Sequence, residues 1–273
     1  RKSGIPTMNE FFGTDTTQRI VRMHGLADAI IARNVLYHLA DLHGVMMGIR
    51  HLLREDGVLA AEFHYGGAML DGLHYDAIYH EHVCYYTQKS FEVLLNRYGL
   101  YGFDVGRSPI NSGGLVVYAS PKQRKKTVRY KKLEEHEKKR SVNRFENWEK
   151  FAHFSEHHRG AFRSAIERFK REGKRIVGYG ASARSSTLLN FCGITSKDIT
   201  AIADGNPLKQ GRFTAGNHIP ILHPDMIFAK KPHIIVLLAW NFADEIMNIV
   251  RKKYRFKGAF IIPLPKTVHI VRS

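Results

Sequence analysis

Short apolar runs alternate along this chain with segments whose apolar positions recur every three or four residues. The first pattern is that of strands and the second that of amphipathic helices. Thr14–Met23 has helical spacing, and Ala27–Ala32 is an apolar run suited to a buried parallel strand. Val45, Met46, Ile49, Leu52 and Leu53 return to helical spacing. Glu55-Asp56-Gly57 is expected to stop that helix, with Val58–Phe63 as the next strand. Lys89–Tyr98 predicts a helix with Phe91, Leu94 and Leu95 inward and Gly99 as its stop. Tyr101–Val105 and Leu115–Ala119 predict two antiparallel strands about Gly113-Gly114.

The pattern changes over residues 121–172, where a polar, basic connection leads into one long amphipathic helix. Its stripe is Phe145, Trp148, Phe151, Phe162, Ala165, Ile166 and Phe169, which is core spacing. Beyond Gly173 a second α/β series follows. Arg175–Tyr179, Thr200–Ala203, His233–Ala239 and Ala259–Ile262 are strand-like, while Arg184–Phe191 and Phe242–Val250 are helix-like. Alternating helices and strands predict the α/β class, with mostly parallel sheets covered on both faces. The expected segments are 1–120, 121–172 and 173–273.

Composition narrows the class. With 44% hydrophobic and 11% aromatic residues the chain cannot belong to the disordered class. No apolar run approaches the length of a membrane span, and no signal peptide opens the sequence, so no membrane role is expected. Two cysteines, Cys84 and Cys192, argue against a disulfide framework and suit a reducing cytoplasm. The balance of 42 Lys+Arg against 25 Asp+Glu gives +17, which favours anionic partners. Much of the excess lies in residues 121–140, where Tyr130 is the one aromatic. A single-strand binder needs stacking platforms, so a solvated linker or helix face is preferred there to a nucleic-acid patch.

Candidate chemistry centres on Tyr79-His80-Glu81-His82, four titratable groups in succession. His74-Tyr75-Asp76 lies just upstream and Cys84-Tyr85-Tyr86 just downstream. A His-x-His pair can hold zinc or iron, but the string is not His-Glu-x-x-His and further ligands are not placed, so no metal site is assigned. A second candidate is Gly178-Tyr179-Gly180-Ala181-Ser182-Ala183, between a strand and a helix, where backbone N–H groups and the helix dipole favour an anion. Lacking a third glycine, it is a weak dinucleotide fingerprint. Arg184 could add charge to a phosphate, Asp204 stands where a ribose partner is expected, and Asn241 follows the strand His233–Ala239. Asn34 follows the strand Ala27–Ala32, at the edge where open α/β sheets bind ligands.

Several of these stretches together resemble one family. Residues 27–41, 57–63, 75–100, 178–190, 202–221 and 238–241 are similar to motifs of S-adenosylmethionine-dependent sugar C-methyltransferases, which act at C3 of nucleotide-linked 4-keto deoxysugars. The resemblance implies a zinc-binding N-terminal part, a Rossmann-like methyltransferase domain and a second Rossmann-like α/β domain that helps bind the nucleotide sugar. By it the chain starts inside the second part, so 1–120 would be an incomplete methyltransferase domain. The glycine-rich cofactor turn and the zinc ligands would lie outside the sequence. This segment alone is therefore expected to bind S-adenosylmethionine poorly and to be inactive. The resemblance also implies His82 as base, Tyr79 as its partner or as oxyanion donor, and Glu81 as the group that orients the imidazole. Asn34, Val35 and His38 remain on the cofactor side. Gly180, Ala181, Ser182, Ala183, Arg184, Asp204 and Asn241 would meet the sugar nucleotide, thymidine-linked or another nucleoside diphosphate. His64 stands where the family usually has proline, and Leu115-Val116-Val117 departs from its Ser-Leu-Arg-Val, which leaves the acceptor open. An O- or N-methyltransferase of the same architecture, or a non-catalytic nucleotide-sugar or nucleic-acid binding module, are the rival readings.

Overall fold

The computed structural model describes residues 4–109 and 112–272; the outermost residues of the expected terminal segments lie outside these. The chain divides into two compact units. Arg1–Gly67 with Glu81–Arg144 make the first, and Ala68–His80 with Phe145–Ser273 the second. This division runs elsewhere than the segments drawn from the sequence, because residues 68–80 belong with the C-terminal part of the chain.

The first unit begins with α1 (Thr14–His24), β1 (Ala27–Arg33), α2 (Leu42–Leu52) and β2 (Leu53–His64). The chain leaves it at α3 (Gly66–Gly72) and returns for α4 (Gln88–Arg97), β3 (Tyr101–Ser108), β4 (Gly114–Ser120) and α5 (Val128–Lys139). Local chemistry sets the helix starts. Asp41 accepts the Gly44 N–H before α2, and Thr87 and Ser90 form a reciprocal capping box on α4. The strand order is β1-β2-β4-β3, with β1 and β2 parallel and the other two pairings antiparallel.

Two expectations are corrected here. β1 is parallel but not buried: Ile31 is 78% exposed and Ala32 alone is fully covered. The reason is position, since among the described residues β1 pairs only with β2 and forms the sheet edge. Glu55-Asp56-Gly57 does not end a helix. It is taken up in β2 as a bulge, between the pairs Ala27–Leu53 and Ala29–Val58.

The second unit contains α6 (Phe145–Arg171), β5 (Ile176–Tyr179), α7 (Ala183–Phe191), β6 (Ile202–Ala203), β7 (Ile221–Leu222) and α8 (Pro224–Ala229). β8 (Ile234–Leu237), α9 (Ala243–Tyr254), β9 (Ala259–Ile262) and β10 (His269–Val271) complete it. The strand order is β10-β9-β8-β5-β6-β7, parallel except for β10. Strand residues alternate between two cores, as a pleat requires. Ile176, Ile234 and Val236 pack with Phe162, Ile166 and Leu188, while Val177, Ile235 and Leu237 pack with Val250 and Phe260. Both faces are thus covered, which explains why these strands read as unbroken apolar runs. The chain runs outward through β5, β6 and β7 and then returns to β8 on the other side of β5. The carboxyl ends of β5 and β8 therefore flank a topological switch point, the favoured ligand position of such sheets.

Candidate active site

In the first unit, the loop after β1 and the segment Glu81–Cys84 form one hydrogen-bonded body. The Tyr37 carbonyl accepts the Val83 N–H at 2.8 Å and the Cys84 N–H at 3.3 Å. His38 Nδ1 lies 2.7 Å from the Glu81 carbonyl oxygen. A carbonyl only accepts, so Nδ1 carries the proton in that bond. Asn34 holds a left-handed turn at φ 51° directly after β1, and the Tyr37 hydroxyl donates to its Oδ1 at 3.2 Å. His82 projects onto this frame. Its half-buried ring lies 4.7 Å from Tyr37, edge to face, 5.0 Å from His38 and 6.1 Å from Tyr85, centroid to centroid. The sequence separates Asn34, Val35 and His38 from Glu81 and His82 by more than forty positions; the fold brings them together. The Glu81 carboxylate is exposed, and the residue's contact to this frame is made by its carbonyl.

Tyr79 and His80 belong to the second unit, whose boundary falls between His80 and Glu81. Tyr79 is half-buried, with its ring 6.4 Å from that of His80. The residues before it are pinned far more tightly than their sequence indicates. Asp76 is 1% exposed and receives Arg184 through two bonds, Nη2 to Oδ1 at 2.9 Å and Nε to Oδ2 at 3.0 Å. Trp240 Nε1 adds a third bond to Oδ2 at 2.8 Å, and the guanidinium lies over the indole at 4.8 Å. His74 packs on the same indole at 5.1 Å, and burial, with the Arg184 charge second, pushes its pKa down to about 3. None of His74, Asp76 or Trp240 was a sequence candidate. The available signal was the density of titratable groups just ahead of Tyr79.

At the switch point, Gly180 has φ 94°, and a Cβ there would stand 2.6 Å from the Ala239 Cβ. A Cβ on Gly178 would stand 2.9 Å from Ile202 and Leu238 side-chain atoms. Close packing of β5 against its neighbours thus accounts for both glycines. Ser182 and Ser185 form a capping box at the start of α7. The Ala181 N–H donates to Asp204 Oδ2 at 2.8 Å, Lys209 Nζ donates to the Ala181 carbonyl at 2.5 Å, and the Asn206 N–H meets Asp204 Oδ1 at 2.8 Å. Asp204 therefore braces the turn itself. Arg184, expected to face a phosphate, has its guanidinium on Asp76. Asn241 is exposed in the loop after β8, and Ala183 opens α7. Among the described residues, no group of three or more His, Cys, Asp or Glu side chains is placed to hold a metal ion.

The family model of the C-methyltransferase C-terminal domain matches residues 109–265, more than half of the chain, and that of a methyltransferase domain matches residues 8–104. The chain belongs to the C-methyltransferase family. It is 31% identical over 265 residues to the C-methyltransferase NovU of Streptomyces niveus, covering 96% of this chain and 63% of NovU. The chain thus spans less than two thirds of the length of this C-methyltransferase. Solved structures with similarity over 35% of this chain include the Burkholderia thailandensis 1,6-didemethyltoxoflavin-N1-methyltransferase (19% identity, 44% of that chain, TM-score 0.28) and TnmH (20% identity, 31% of that chain, TM-score 0.27). Along this chain the match to the C-terminal domain begins at the β3–β4 connection and ends beyond β9. Both units therefore contribute to it.

Proposed function

We propose that this protein takes part in S-adenosylmethionine-dependent methylation of C3 of a nucleotide-linked 4-keto deoxysugar, with His82 as the base. One observation carries the reading: an accessible imidazole is fixed against the loop at the carboxyl edge of β1, where ligands of open α/β sheets bind. Membership of the C-methyltransferase family and the similarity to NovU support it.

A hydrogen on carbon beside a ketone is acidic enough for a positioned imidazole to remove. His82 takes the C3 proton, and the electron pair left on C3 would be the nucleophile for the donor's methyl group, whose bond to sulfur would break as the neutral thioether leaves. Tyr79 donates to the ketone oxygen as charge develops there. Glu81, whose carbonyl accepts from His38 Nδ1, would help orient the segment that carries the His82 imidazole. The donor's fit rests on the loop after β1, where a left-handed asparagine, the part-exposed Val35 and an imidazole with Nδ1 already committed present both polar and apolar surface. Asn34, Val35 and His38 would hold it, and when bound it supplies an electrophilic methyl group. The turn Gly180–Ala183, with Asp204 and Asn241, would face the nucleotide at the switch point. Arg184 serves that site indirectly, through Asp76.

His82→Ala in the full-length protein is expected to abolish both methyl transfer and deuterium exchange at C3. Exchange that persists at the unaltered rate would remove His82 from the role. The product carries a carbon-bound methyl group, which survives acid hydrolysis and gives a C–CH3 signal by NMR.

A further inference from the structure

The Arg184 guanidinium at the second sheet's switch point already has its anion, and the protein itself supplies it. We propose that Asp76 is a built-in counter-ion that neutralises Arg184 beside this crevice and thereby positions the segment bearing Tyr79. The inference rests on the functional reading above only where turnover is measured.

A carboxylate buried as deeply as Asp76 is costly unless it is paired and hydrogen-bonded. Here both oxygens are met, by the fork of Arg184 in the first turn of α7 and by the indole N–H of Trp240 in the loop after β8. Those two elements flank the switch point, where sheets of this order usually direct cations and helix N-termini at a ligand phosphate. Displacing Asp76 with a phosphate would strand the carboxylate in a buried place, so Arg184 is committed to the chain.

The turn around Asp76 is fixed from further directions. The Tyr75 hydroxyl lies 2.9 Å from His158 Nδ1 on α6 and 3.5 Å from Cys192 Sγ at the end of α7. The Ile78 N–H closes onto the Tyr75 carbonyl at 3.0 Å, and the Lys266 N–H onto Gly72 at 2.9 Å. Exposure rises just past this anchor. Tyr75, Asp76 and Ala77 are buried, Ile78 is 46% exposed and Tyr79 is half-buried. The clamp therefore ends three residues before Tyr79, close enough to set where the chain emerges. Asp76, Arg184 and Trp240 are positioning residues in this scheme, because no reacting atom touches them.

The test uses the full-length protein with three variants, Asp76→Asn, Asp76→Gly and Arg184→Lys. Asp76→Asn is expected to lower kcat about a hundredfold, the scale on which small misplacements act. KM for the methyl donor and nucleoside-diphosphate affinity should be unchanged, and amide exchange over residues 77–80 should accelerate. Added formate, which can occupy the vacated carboxylate position, should restore part of the turnover of Asp76→Gly. Arg184→Lys keeps the charge but loses the fork, and should show the same kcat loss and faster exchange. Weakened nucleoside-diphosphate binding in Arg184→Lys with kcat unchanged would overturn the proposal and make Arg184 a phosphate ligand. Unchanged exchange at 77–80 in all three variants would also overturn it. The exchange readout holds even if the wild-type protein transfers no methyl group, so a failure of the clamp is distinct from a failure of the proposed reaction.

Discussion

His158 can hold only one tautomer. Its Nε2 lies 2.6 Å from the Pro263 carbonyl oxygen and must donate there, so Nδ1 accepts from the Tyr75 hydroxyl. Burial raises the Tyr75 phenol and lifts the Cys192 thiol to about 11, so this chain of groups stays neutral around pH 7. Burial also lowers the pKa of His158 and, with Arg184, takes His74 down to about 3. Both imidazoles bind protons less readily folded than unfolded. Their contribution is therefore present above the unfolded value near 6.5 and is lost as pH falls towards the folded values. Each unit of difference is worth about 1.4 kcal/mol, so His74 alone matters. Thermal melts are expected to drop steeply between about pH 6.5 and pH 4. A His74→Phe variant should show a flatter dependence over that window, whatever its stability at neutral pH. An unchanged slope in the variant would show that His74 is not the titrating group.

Among elements, the ones written in local patterns were legible and the ones made by distant partners were not. α4, β9 and the α6 stripe from Phe151 to Phe169 follow apolar spacing that tertiary contacts only reinforce. Phe145, expected in that stripe, is instead 73% exposed, and α1 buries Thr16 and Thr17 rather than an apolar face. The two-residue strands β6 and β7 are too short to carry a period, and they exist because a parallel neighbour completes them. α5 shows a subtler case. It lies in the basic stretch, but Tyr130, Leu133 and Glu137 are buried at helical spacing. Glu137 accepts the Gln88 N–H at 2.6 Å and the Lys89 N–H at 3.2 Å, capping α4 from another helix. Charge count alone hides that stripe. The Gly-x-Gly turn was legible as a turn, while its function stayed open because packing and phosphate binding require the same small residues. Gly180→Ala separates the two. Its positive φ and the 3.0 Å approach of a Cβ to the Ala239 N should cost about 1–3 kcal/mol with no ligand present. Urea unfolding of the unliganded protein reads this directly. A neutral result there, with loss only of ligand affinity, would favour the phosphate reading.

For the whole molecule, the chain passes between its two compact units three times, after Gly67, His80 and Arg144. A linear reading of composition cannot see this, because residues 68–80 are neither polar enough for a linker nor long enough for a domain. Part of the net charge has a plain origin at this scale. A cleft of about 880 Å³ along the amino edge of the second sheet is lined by Lys174, Arg175, Lys231, Arg255 and Lys257. α6, α8 and α9 end just before these residues, so the cations offset the negative ends of three helices. The threefold crossing has a consequence for folding. Leu73 and Tyr75 sit in the same core as Phe162, Leu188 and Trp240, and Asp76 neutralises Arg184. A fragment of residues 145–273 would lose those apolar contacts and leave the guanidinium and the indole N–H without Asp76. Uncompensated polar burial of this kind costs several kcal/mol, comparable with the whole stability of a small domain. The fragment is expected to melt without cooperativity. Residues 66–80 joined to it by a flexible linker should restore a cooperative transition in circular dichroism. A cooperative melt of the bare fragment, at the midpoint of the joined one, would show that the second unit folds without the segment that carries Asp76.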